Sequence, residues 1–197
     1  MAINHEIEFK QLLTPSQYNA IKTHYFADDT PFTQTNHYFD TTDMTLKQHH
    51  AALRIREKDG QFEMTLKVPA DVGLLEYNEI VALNPNTLET LHVDDLPQAI
   101  RKAINALDDN ITTFHLLGAL STARIEKNID DNLLVLDHST YLDTEDFELE
   151  FEVVNAETGF EAFQHILRQF DIESNKPDNK VARFFNRKMT LLHQRND

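Results

Sequence analysis

At 197 residues the chain suits one domain of ordinary size, and 41% apolar with 26% charged residues is the mix of a folded globular protein, not a disordered one. Cysteine is absent, which excludes disulfides and thiolate metal sites, and no run of about 18 apolar residues offers a helical membrane span. A formal net charge of −15 repels nucleic-acid backbones, so an anionic ligand would have to be small and held where the 18 Lys and Arg residues concentrate.

Residues 4–13 open on a period of two, with Glu6, Glu8 and Lys10 on one side and Ile7, Phe9 and Gln11 on the other. That pattern predicts a strand with one charged face. The run before it lacks the basic-then-apolar order of a secretory signal, and together with the lack of cysteine this makes a cytoplasmic protein the expectation. Thr14-Pro15-Ser16-Gln17 predicts a helix start: Thr14 as N-cap, Pro15 at the first helical position and Gln17 closing a capping box, with the helix reaching about Phe26. Strands are expected over 35–40, 52–57 and 61–67, the last two joined by Lys58-Asp59-Gly60, whose Asp-Gly step is a hairpin signal. A further strand follows over 74–83. Residues 96–107 and 111–117 read as helices broken around Asp108-Asp109-Asn110. Strands resume over 119–128, 133–137 and 147–154, and 159–170 and 181–194 carry helical apolar spacing. One α+β domain spanning 1–197 with about eight strands is the economical reading.

The charges are sorted by strand. Arg54 and Arg56 share a face opposite Leu53 and Ile55, while Lys67 lies opposite Met64, Leu66 and Val68 in parity. Glu148, Glu150 and Glu152 share a face opposite Phe147, Leu149, Phe151 and Val153; Asp137 shares parity with Leu133 and Val135, a less clean pattern. An amphipathic strand ordinarily turns its charges to water. Bulky apolar faces suited to packing under helices reverse that expectation and turn the charges inward, as in a barrel with a polar lumen. Clustered carboxylates such as Glu6, Glu8, Glu148, Glu150 and Glu152 repel one another unless a cation sits among them, and their oxygens suit Mg²⁺ or Mn²⁺. Arg54, Arg56 and Lys67 would neutralise phosphoryl oxygens.

Glu6-Ile7-Glu8-Phe9-Lys10 resembles the E-x-E-x-K motif of CYTH domains, the triphosphate tunnel metalloenzymes. Tyr38-Phe39-Asp40-Thr41, Leu53-Arg54-Ile55-Arg56, Thr65-Leu66-Lys67, Arg124, Asp137, the Glu148/Glu150/Glu152 strand, and Lys180 with Arg183 extend the resemblance over nearly the whole chain. It looks closest to a branch from Gram-positive bacteria. The resemblance implies an eight-stranded antiparallel tunnel, helices outside, around a linear triphosphate. It implies metal binding by Glu6, Glu8, Asp137 and the carboxylates of Glu148, Glu150 and Glu152. Phosphate would be held by Lys10, Arg54, Arg56, Lys67, Arg124, Lys180 and Arg183, with Lys10, Lys67, Arg54 and Arg56 stabilising transition-state charge. One strand departs from the family pattern: of the two acids in Glu76-Tyr77-Asn78-Glu79 only Glu76 is a lumen candidate, because Glu79 has the opposite parity.

The expected activity is metal-dependent hydrolysis of inorganic tripolyphosphate or an organic triphosphate. Cyclisation of ATP to cyclic AMP and pyrophosphate, and a non-catalytic nucleotide- or polyphosphate-binding module, are the alternatives. No nucleic-acid or membrane partner is expected, and the protein would act as a monomer or homodimer. Ten histidines are scattered, without a metal pattern; His138, next to Asp137, is the candidate proton carrier. Four glycines include no phosphate-loop spacing, and Phe184 and Phe185 are expected in the core.

Overall fold

The computed structural model describes residues 2–194. The strands are β1 (Ala2–Glu6), β2 (Glu8–Leu13), β3 (Phe32–Asp40), β4 (Ala52–Lys58), β5 (Gln61–Pro69), β6 (Leu74–Val81), β7 (Thr90–His92), β8 (Thr113–Ile129), β9 (Asn132–Tyr141) and β10 (Thr144–Glu152). The helices are α1 (Pro15–Tyr25), α2 (Thr45–Gln48), α3 (Gln98–Leu107), α4 (Ala156–Gln169) and α5 (Lys180–Gln194). The strands follow the order β1-β6-β5-β4-β3-β8-β9-β10-β2, with β7 added on β8, and every pairing of described register is antiparallel. The two ends of that order, β1 and β2, are joined through Ile7 alone.

Local signals act as written. The Thr14 side chain accepts from the Gln17 N–H at 3.3 Å while the Gln17 side chain accepts from the Thr14 N–H at 2.8 Å, completing the capping box of α1. Asp59 and Gly60, at φ 51° and 74°, make the two-residue turn that registers Lys58 against Gln61. Ten strands stand where about eight were expected, because the first one divides at Ile7 and the short β7 was not anticipated. Residues 111–117 are not helical. Their apolar spacing imitates a helix, but Phe114 is fully buried opposite Leu91, and Thr113 pairs with His92, so the segment begins the long strand β8.

The chain folds as two compact units, one containing residues up to His5 and Gln34–Leu120, the other Glu6–Thr33 and Ser121 onwards. In the first unit, Leu53, Ile55, Met64 and Leu66 pack with Phe39, Phe114, Leu46 of α2 and Ile100 and Ile104 of α3, all at most 2% exposed. In the second, Ile125, Leu134, Leu136, Leu149 and Phe151 pack with Tyr18 and Ile21 of α1 and Phe163, Ile166 and Leu167 of α4. Each full burial of such a side chain contributes roughly 1.5–3 kcal/mol. Strand alternation then commits the intervening side chains to the opposite face of the sheet.

Candidate active site

In the second unit that opposite face is ionic. Glu8 and Lys10 come from β2, Arg124 from β8, Asp137 from β9, and Glu148, Glu150 and Glu152 from β10, each next in sequence to a member of the apolar cluster or a residue packed on it. The register sets Arg124 opposite Asp137 and Lys10 opposite Glu150, but also Asp137 opposite Glu148 and Glu8 opposite Glu152. Like charges directly opposite are destabilising unless cations stand among them. Here they do.

Asp137, Glu148, Glu150 and Arg124 are 0%, 1%, 5% and 8% exposed. Arg124 forks onto Asp137, Nε to Oδ1 at 2.8 Å and Nη2 to Oδ2 at 2.7 Å, and Nη2 also donates to Glu150 Oε2 at 2.7 Å. Lys180 and Arg183, three apart at the start of α5, share a helix face. The Lys180 ammonium donates to Glu148 Oε1 and Glu150 Oε1 and forms an ion pair with Asp137 Oδ2 at 2.8 Å. A cation at a helix N-terminus opposes the helix dipole, and three carboxylates more than offset that. Arg183 Nε donates to Asp146 Oδ2 at 2.8 Å and Nη1 to Glu148 Oε2 at 2.6 Å. Lys10 pairs with Glu8 on its own strand.

These contacts set the charge states. Burial alone would lower Lys180, but Asp137, Glu150 and Glu148 hold it well above its ordinary value. Arg124 is likewise held protonated against burial by Asp137 and Glu150, and Lys10 by Glu8, Glu150 and Glu148. Burial would raise Glu150, yet Lys180 and Arg124 hold it well below the usual carboxylate range. Glu148 moves the other way: burial raises it, and the charge of Glu150 adds to the shift against the pull of Lys180.

The first unit carries the other cations. Arg54 lies opposite Thr65, Thr65 opposite Asn78, and Lys67 opposite Glu76, with which it pairs. Arg56 Nε donates to Asn36 Oδ1 at 3.1 Å, and Thr65 Oγ1 to Asn78 Oδ1 at 2.7 Å. Glu76 thus lies on the polar face, while Glu79 falls opposite buried Met64. Two buried donors, Arg54 Nε and Arg183 Nη2, have no hydrogen-bond partner among the described residues.

Among the described residues one group of acids has ligand atoms all within 4.8 Å of one another: Asp137, Glu148 and Glu150. Glu6, Glu8 and Glu152 are not members of it. Its oxygens fit a hard divalent ion, and these three are the residues that could hold one; their charge is balanced by Lys180, Arg124 and Arg183. His138 stands apart from the cluster. It lies on the other face of β9 from Asp137, stacked on Phe147 with centroids 4.4 Å apart and Nε2 2.7 Å from Glu145, so it does not serve this cluster as a proton carrier. Phe184 is in the core as expected, whereas Phe185 is only half-buried. Asn36, Asn78 and Asp146 were not anticipated, although parity marks each: Asn36 with Tyr38, Asn78 with Glu76, and Asp146 two residues before Glu148.

Helices over one face of an antiparallel sheet, and buried acids and bases interleaved on the other, define an α+β protein equipped to hold a cation and a small anion. The chain belongs to the CYTH domain family, whose model matches residues 4–185. It is 41% identical over 184 residues, 93% of this chain and 95% of the relative, to a Bacillus subtilis (strain 168) protein named "Putative triphosphatase YjbK". It is similar to the crystal structure of a "putative adenylate cyclase" from Bacillus halodurans, with a TM-score of 0.82 and 36% identity, covering 94% of this chain and all of that one. That likeness bears out the antiparallel barrel with external helices. HpAC1 from Hippeastrum, a "putative adenylyl cyclase" with a dominant triphosphatase activity, shares the fold at a TM-score of 0.69 and 20% identity, covering 94% of this chain and 96% of that one. The family is metal-dependent and binds small triphosphates, and membership supports triphosphate hydrolysis in general terms. No helix among the described residues is long and apolar enough to cross a membrane.

Proposed function

We propose that this protein hydrolyses a linear triphosphate with Mg²⁺ or Mn²⁺, inorganic tripolyphosphate being the first substrate to try. The observation that carries the reading is the pair of buried guanidinium donors, Arg54 Nε and Arg183 Nη2, that lack a hydrogen-bond partner among the described residues. A buried donor left unmet costs about 1–3 kcal/mol, and phosphoryl oxygens are the acceptors that arginine forks match. Arg54, Arg56 and Lys67, with Lys10, Arg124, Lys180 and Arg183, take the phosphoryl oxygens; Lys10, Lys67, Arg54 and Arg56 also stabilise charge in the transition state. Asp137, Glu148 and Glu150 hold the ion, with Glu6, Glu8 and Glu152 supplying further oxygens. The ion, when bound, supplies Lewis-acid neutralisation of the phosphate charge. The family match runs through both units, which favours one functional domain, and a cytoplasmic location suits a substrate of this class.

The name of the Bacillus halodurans structure favours a second reading, adenylyl cyclisation. Incubation with tripolyphosphate and with ATP, under each ion, separates the two: phosphate release supports the hydrolase, whereas cyclic AMP with pyrophosphate supports the cyclase. Glu8→Ala should abolish most of the phosphate release. Tight binding with no turnover under either ion would leave only a binding module.

A further inference from the structure

Arg183 is held by a chain of contacts that neither ion nor substrate requires. Tyr141, 7% exposed at the end of β9, donates its hydroxyl to Asp146 Oδ2 at 2.7 Å. The same oxygen accepts Arg183 Nε at 2.8 Å. Nη1 is fixed on Glu148 Oε2 at 2.6 Å and on the Asp178 carbonyl at 2.5 Å. One turn along α5, Arg187 forks onto Asp143 in the β9–β10 turn, Nε to Oδ1 at 2.8 Å and Nη2 to Oδ2 at 2.5 Å, pinning the helix to the same hairpin. The guanidinium is therefore fixed along Nε and Nη1, while buried Nη2 keeps its donors unspent. A planar fork clamped on one side presents its remaining side in a fixed direction, which lowers the ordering cost of binding a phosphoryl oxygen.

We propose that Tyr141 and Asp146 are positioning residues for triphosphate binding, acting through Arg183 by clamping its Nε so that Nη2 is presented to the substrate. The idea rests on the triphosphatase reading. Tyr141 never touches substrate; its hydroxyl restrains Asp146, and Asp146 restrains the arginine.

The test is a double-mutant cycle on the affinity of the full chain for inorganic tripolyphosphate, measured by calorimetry, with kcat and KM alongside. Tyr141→Phe keeps the ring against Phe184, 6.0 Å away, and removes only the hydroxyl. It should weaken binding about fivefold, the worth of one ordinary hydrogen bond, and raise KM with kcat unchanged. Asp146→Asn should weaken it further. In an Arg183→Ala background Tyr141→Phe should have no additional effect, because the residue it acts through is gone. Equal losses in both backgrounds, or unchanged affinity with only a lower melting temperature, would overturn the inference while leaving the hydrolase reading intact. Wild-type protein that does not bind tripolyphosphate would overturn both.

Discussion

Lys180→Met tests the charge accounting of the buried cluster most directly. In the native protein three carboxylates, Asp137, Glu148 and Glu150, none above 7% in side-chain exposure, face three cations, Arg124, Lys180 and Arg183. Methionine keeps the stem's bulk and removes one positive charge, leaving a buried negative charge without a counterpart. Removing one partner of a buried pair costs about 3–5 kcal/mol. For a chain near 200 residues each kcal/mol moves the melting point by roughly 2–4 °C, so a fall of about 6–20 °C is expected by calorimetry in EDTA at neutral pH. Two further arms make the reasoning specific. Adding Glu148→Gln to Lys180→Met restores the balance, so the double variant should be about 1–3 kcal/mol more stable than the sum of the singles. Excess Mg²⁺ should raise the melting point of Lys180→Met more than that of wild type, because the ion replaces the missing charge. A fall below about 4 °C, or strict additivity with Glu148→Gln, would refute the placement of the ammonium among the acids.

Burial holds the His37 imidazole below its ordinary value of 6.5, although Glu57 Oε2, 3.9 Å away, pulls against it. Above about pH 6.5 neither state is protonated and the group contributes no pH dependence; below it the unfolded chain takes a proton that the folded chain resists, and stability falls by up to about 1.4 kcal/mol per pH unit. His37→Gln should flatten the urea-midpoint profile between about pH 6.5 and 5, and an unchanged slope would count against the burial argument. Gly159 lies in α4, where alanine would ordinarily gain about 1 kcal/mol. Here an added Cβ would meet Val153 Cβ, Cγ1 and Cγ2 at 2.6 Å, so Gly159→Ala should instead destabilise by about 1–3 kcal/mol in urea unfolding. Trimming Val153 to alanine removes Cγ1 and Cγ2 but leaves its Cβ at 2.6 Å, so it should rescue Gly159→Ala only in part.

The sequence by itself determined whatever depends on near neighbours. The capping box at Thr14 and Gln17, the Asp59-Gly60 turn and the alternation in β4, β5 and β10 are local, and each is built from contacts within a few residues. Parity likewise put Glu148 and Glu150 on one face, since a strand's period leaves no choice. Tertiary structure decided what depends on distant partners. Residues 111–117 carry helical spacing but became strand because β7 pairs with them, a contact across more than twenty positions that no local pattern records. The pairing of Lys180 with Asp137, Glu148 and Glu150 is of the same kind. Its sequence signal is a lysine at a helix start, where the dipole disfavours it, and only the packing of α5 on β10 brings it to the three carboxylates that stabilise it there. Alternation says which side chains share a face, but charges can meet only across register and packing, and those are set by the whole fold.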